Sequence, residues 1–128
     1  MTVLEEIRND AAGLASLRDW LGEGGVPVDS ATADARTAVC AGCPQNVRFI
    51  WWENTKHAIA ETIKRHLAVK HRLELHAENE DNVAMCRACG CCLRLKVWVP
   101  MDVIRPHTTP EQLAKMPEPC WIRKGMTE

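Results

Sequence analysis

The sequence has no tyrosine, a single phenylalanine and no apolar run long enough to cross a membrane. Its first residues also lack the basic and apolar segments of a secretory leader, so we expect neither secretion nor membrane insertion. A length of 128 residues is typical of one domain. Because few large aromatic residues are present to fill a core, we expect another interaction to hold the segments of that domain together.

A strongly basic region is also missing. The net charge is −1, and the segment from residue 86 onward is the only net-basic part. Non-specific binding to nucleic acid needs several Lys or Arg side chains on one face, so the overall charge disfavours that function. The alternative of a nucleic-acid contact therefore depends on basic residues near the C-terminal cysteines, namely Arg87, Arg94, Lys96, Arg123 and Lys124.

The sequence contains seven cysteines, and four of them form two CxxC pairs: Cys40 with Cys43, and Cys86 with Cys89. Without a leader we expect a reducing compartment, where thiols bind metals rather than form disulfides. A two-residue gap lets both thiolates of a tight turn face one ion, and two such turns complete the tetrahedron that zinc prefers. The sequence thus predicts a Zn²⁺ site.

The remaining cysteines leave the ligand set open. Cys91 follows Cys89 on the same face of a predicted strand, and Cys120 is a further candidate, whereas Cys92 is expected to be a small buried apolar residue. A second metal ion or an iron–sulfur cluster stays open, because thiolates bind both. An all-thiolate shell has no open position, which favours a structural over a catalytic metal. The zinc ligands are thus any four of Cys40, Cys43, Cys86, Cys89, Cys91 and Cys120.

The first third of the chain predicts two helices. Thr2 and Glu5 form a capping-box pattern, and apolar residues at helical spacing follow up to about Trp20, before glycines end the helix at residue 22. Ser30 is expected to cap a second helix that leads into Cys40, so the first cysteine pair should lie at a helix end.

The rest of the chain predicts a long helix, a strand and a short helix. Residues 54–80 read as helical, with an apolar stripe and with basic residues on an exposed face. Residues 93–99 alternate in the way that is typical of a strand. Thr109 and Gln112 form a second capping box. The stripe comprises Ile59, Ile63, Leu67 and Leu73; the basic residues are Lys56, Lys64, Arg65, Lys70 and Arg72.

Phe49, Ile50, Trp51 and Trp52 are consecutive large apolar residues. Four such residues cannot all face inward from one helix or strand, so at least one is available for contact with another chain. This run indicates protein association.

Three segments carry a family resemblance: RTAVCAGCPQN, CRACGCCLRLKVWVP and PCWI. They resemble small, cysteine-rich, zinc-ribbon-like proteins of tailed phages and bacterial prophages, over residues 30–50 and 83–122. The resemblance implies a zinc-ribbon-like core built on the six candidate cysteines, and says little about activity. Cys92 departs from the family, in which proline is commoner at that place.

Together these observations predict a mostly helical α+β fold with a small zinc-ribbon-like metal core. Residues 1–128 are expected to form one domain, with an N-terminal helix at 1–25, a zinc-binding core at 30–50 and 83–122, and a helical insert at 51–82. The expected function is that of a non-enzymatic structural zinc-binding protein.

Such a protein would act as an adaptor or assembly component, and the resemblance suggests a phage particle as the assembly. Its expected partners are other protein chains, with no membrane and no small-molecule substrate, and its expected location is the bacterial host cytoplasm or the particle. The alternative is a nucleic-acid-binding or regulatory zinc-ribbon protein.

Overall fold

A computed structural model describes residues 15–47, 54–89 and 91–127, with the backbone alone at residues 54–57. The fold is mostly helical with one small sheet, as the sequence predicts. No helix in these ranges is both long and apolar enough to span a bilayer. The capping-box pattern at Thr2, the start of the first helix and the aromatic run at 49–52 lie outside the described residues.

Seven helices and two strands follow one another in the described ranges. The helices are α1 at residues 15–22, α2 (Ser30–Ala41), α3 (Asn54–His71), α4 (Leu93–Lys96), α5 (Met101–Ile104), α6 (Pro110–Lys115) and α7 (Trp121–Met126). The strands are β1 (Asn46–Val47) and β2 (Met85–Cys86), and 3₁₀ turns cover Glu80–Asn82 and Arg105–His107.

The N-cap of helix α2 lies one residue earlier than the sequence suggests. Asp29, rather than Ser30, is the N-cap, and its carboxylate accepts a hydrogen bond of 2.7 Å from the amide of Thr32. The helix ends at Ala41, with Cys40 buried in its last turn. The prediction that the first cysteine pair lies at a helix end is therefore confirmed.

Helix α3 buries part of the predicted apolar stripe. Leu67 is buried and Ile63 packs against the core, whereas Ile59 is 53% exposed. Ala60 and Lys64 also point into the core, at helical spacing from Leu67. Lys64 was expected on the solvent face, but it is buried and forms an ion pair with Glu80. A small residue at position 60 allows close packing there, and the ion pair supplies the counter-charge that a buried lysine requires.

The chain after α3 is extended rather than helical, so the predicted continuation of the helix to residue 80 is wrong. Arg72 adopts a positive φ of 55°, which ends the helix at His71. From there Leu75 and Ala77 point inward while their neighbours are exposed. This alternation is that of an extended segment.

Side chains of α2 hold that extended segment in place. The Thr37 hydroxyl donates to the carbonyl of Glu78, and the Asp34 carboxylate accepts from the amide of Glu78 at 2.8 Å. The backbone amide and the backbone carbonyl of Glu78 are thus both bonded to side chains of a single helix.

The predicted strand at residues 93–99 is also absent: the chain forms α4 and then turns. The amides of Leu95 and Lys96 donate to the carbonyl of Cys92, and that of Val97 donates to Leu93. All residues of this run except Arg94 are buried, so the alternation in sequence does not correspond to an inner and an outer face. A strand also needs a neighbour, and here it is Cys92, not the run after it, that bridges to Met85.

The C-terminal helices pack on the same core as α1 and α3. Trp20 and Trp98 are almost fully buried within it, and the amide of Val28 donates to the carbonyl of Trp98 at 3.0 Å. At the start of α6, Thr109 and Gln112 form both hydrogen bonds of a capping box, so that prediction is confirmed.

Candidate metal centre

The first cysteine loop, residues 40–46, is a tight turn at the end of α2. The amide of Cys43 donates to the carbonyl of Cys40 at 3.0 Å, and the amide of Asn46 donates to the carbonyl of Cys43 at 3.1 Å. Cys40 is buried and Cys43 is half-buried. A helix end followed by successive turns thus places two thiols within one short loop.

The second cysteine loop, residues 85–89 and 91–92, is a hairpin. The amide of Cys86 donates to the carbonyl of Cys91 at 3.0 Å, and Met85 bridges to Cys92 in antiparallel fashion. Three thiols, those of Cys86, Cys89 and Cys91, therefore belong to one turn of chain.

A short antiparallel ladder joins the two loops. Asn46 pairs with Cys86 and Val47 with Met85, and the amide of Arg87 donates to the carbonyl of Gln45 at 2.9 Å. The Asn46 side chain adds bonds to both neighbours of Val83, since it accepts from the amide of Ala84 at 3.0 Å and donates to the carbonyl of Asn82 at 2.8 Å. Segments 36 residues or more apart in sequence are thereby fixed side by side.

Cys40, Cys43 and Cys120 form what we call the first thiol cluster. Burial raises the pKa of Cys40 to about 11, a bond from Trp121 opposes this, and the charges of Cys120 and Cys43 raise it further. The indole Nε1 of Trp121 donates to Sγ of Cys40 at 3.1 Å. Cys120, at the start of α7, is thus brought to the first cysteine loop from 80 residues away.

Cys86, Cys89 and Cys91 form the second thiol cluster. A side-chain hydrogen bond to Cys86 is the largest cause of a strongly raised pKa at Cys89, and burial adds to it. The pKa of Cys91 is likewise raised, first by its side-chain hydrogen bond with Cys89 and then by burial. Sγ of Cys91 also donates to the backbone carbonyl of Cys89 at 3.4 Å.

A buried cation accompanies the second thiol cluster. Nζ of Lys96 lies 3.5 Å from Sγ of Cys91, and the lysine is only 8% exposed. Burial would lower the pKa of Lys96, but the charges of Cys91 and Cys89 outweigh burial and raise it. Within the described residues, no carboxylate lies at ion-pair distance from this ammonium.

Another buried cation, Arg36, accompanies the first thiol cluster. Its guanidinium lies 4.2 Å from the ring centroid of Trp121 and donates to the carbonyls of Val97 and Val99 at 3.0 and 2.7 Å. Burial lowers the pKa of Arg36, whereas the charges of Cys40 and Asp29 raise it. The Arg36 cation therefore has an aromatic ring and two carbonyl oxygens as partners.

The structure therefore groups the six predicted ligands into two sets of three, and the ladder joins the loops that carry them. The sets meet in a small apolar group, where Cys86 packs against Cys40, Val83 and Leu93. Among the side chains that the structure describes, no three or more His, Cys, Asp or Glu converge closely enough to hold a metal ion. The selection of four ligands from six stays a prediction.

Cys92 lies outside both thiol clusters. Burial raises its pKa, and the groups around it are backbone amides of Arg94 and Leu95 and the side chain of Glu61.

Two of the basic residues considered for nucleic-acid binding point inward. Nε of Arg94 donates to the carbonyls of Glu80 and Val83, and Lys96 is buried. Sequence reasoning missed the placement of both Lys96 and Arg36, for which the sequence carries no local signal.

Comparisons of the chain with protein-family models, curated proteins and solved structures found no match. Any conclusion about function therefore has to come from the residues themselves. The donor set suits zinc, because soft thiolates in tight turns are the ligands of structural zinc sites.

Proposed function

We propose that this protein is a non-enzymatic structural zinc-binding protein that serves as an adaptor or assembly component. The observation that carries the proposal is the β1–β2 ladder, which brings two cysteine loops together from distant parts of the chain. Thiolates drawn from those loops would hold Zn²⁺ in a closed shell, as in a zinc ribbon. A closed all-thiolate shell offers no position for substrate, which favours structure over catalysis.

Zinc would supply stability that the short β1–β2 ladder provides only weakly. Each described strand is two residues long, and such a ladder is marginal by itself. Structural zinc contributes on the order of 10 kcal/mol in small zinc-binding peptides, as much as the whole stability of an ordinary domain. The ion would thus fix α2, the second cysteine loop and α7 to one another.

The test is metal analysis of the full chain, purified under reducing conditions without chelator. We expect stoichiometric zinc, and we expect a chelator that removes it to lower the midpoint of thermal unfolding steeply or to abolish the folded circular-dichroism spectrum. A chain that is metal-free as purified, takes up no added Zn²⁺ and unfolds at the same temperature in chelator would overturn the proposal.

The adaptor role rests on the solvent-facing side of α3. Ile59 and Val69 are 53% and 80% exposed, ten residues apart on one side of the helix, and Leu73 lies just beyond its end with 49% exposure. Exposed aliphatic residues in such a row favour contact with another protein chain. The phage particle suggested by the sequence resemblance is the assembly we propose.

We expect the double variant Ile59→Glu, Val69→Glu to lose co-sedimentation of the chain with assembled phage particles. Its unfolding free energy should change by less than about 0.5 kcal/mol per site, because both side chains are exposed. Arg65→Glu, which changes the net charge by the same −2 at another exposed position of the helix, serves as the control. Equal sedimentation of the double variant and the wild type would exclude this surface as the contact.

A further inference from the structure

We draw no further inference here: the strongest candidate, the exposed apolar patch on the solvent-facing side of α3, belongs to the contact surface already proposed, and nothing in the described part of the structure shows what covers it.

Discussion

The two thiol clusters differ in how each one satisfies its buried cation. At the first thiol cluster, Arg36 stacks on Trp121 and donates to two backbone carbonyls. At the second thiol cluster, Nζ of Lys96 lies 3.5 Å from Sγ of Cys91, and no carboxylate in the described part of the chain is paired with it. A guanidinium is also more weakly hydrated than an ammonium, so its burial costs less.

The two thiol clusters, which the cysteine pattern alone does not tell apart, therefore have different surroundings. The bonds of Arg36 and Trp121 at the first thiol cluster join α2, α7 and the chain after α4. The buried ammonium at the second thiol cluster has a single hydrogen-bond partner, Sγ of Cys91, among the described residues. We therefore expect substitutions at Arg36 to act mainly on stability.

The largest effect on stability is expected for Arg36→Met. The substitution removes two charged hydrogen bonds and leaves the carbonyls of Val97 and Val99 buried without donors, so we expect the zinc-loaded protein to lose about 3 kcal/mol of unfolding free energy. Urea denaturation measures this loss. Zinc affinity should stay within about threefold of the wild type. A loss of zinc affinity of about tenfold or more in Arg36→Met would contradict this expectation.

A smaller effect is expected for Trp121→Phe, which retains a ring for Arg36 but removes the 3.1 Å bond from the indole to Cys40. One hydrogen bond and a weaker cation–π contact together account for about 1–2 kcal/mol. Thermal unfolding at fixed zinc concentration checks this figure.

The smallest of these effects is expected for Thr109→Ala, in a part of the chain remote from the ladder. The loss of the capping box at α6 should cost about 1 kcal/mol without a change in zinc affinity. Thr109→Ser should retain the stability of the wild type, because serine keeps the capping hydroxyl. Weaker zinc binding in Thr109→Ala would mean that any destabilisation lowers zinc affinity, so that stability and affinity could not be separated at Arg36 either.

Features encoded by a few adjacent residues could be predicted from the sequence. The capping box of Thr109 and Gln112 is one, and the cysteine turn at the end of α2 is another. Each depends on backbone groups within four residues, so distant parts of the chain have little influence on it. The mostly helical composition follows from the same local signals.

Two segments show where local patterns fail, and they fail in opposite directions. Residues 73–78 read as helix but are extended, and residues 93–99 read as a strand but form α4 and a turn. In both cases the deciding partner is far away in sequence: α2 binds the first segment through Asp34 and Thr37, and the second is surrounded by core on nearly every side. Tertiary packing overrides propensity at such places.

The candidate site divides in the same way. The spacing of the cysteines predicts two metal-binding turns, and the ladder between those turns is what the structure adds. Lys96 could not be identified beforehand, because a buried lysine and a surface lysine look alike in sequence. The sequence suggests a contact with phosphate, whereas the structure buries the side chain with its Nζ 3.5 Å from Sγ of Cys91.

The two hydrogen bonds from α2 to the backbone of Glu78 have a consequence for protein engineering. Because Asp34 and Thr37 fix the chain at that peptide, the positions just upstream, from Arg72 to Glu74, are exposed and are not needed to hold it in place. A short affinity tag or a fluorophore-labelled cysteine-free peptide inserted after Arg72 should leave folding intact, while the same insertion after Leu75 should disrupt it.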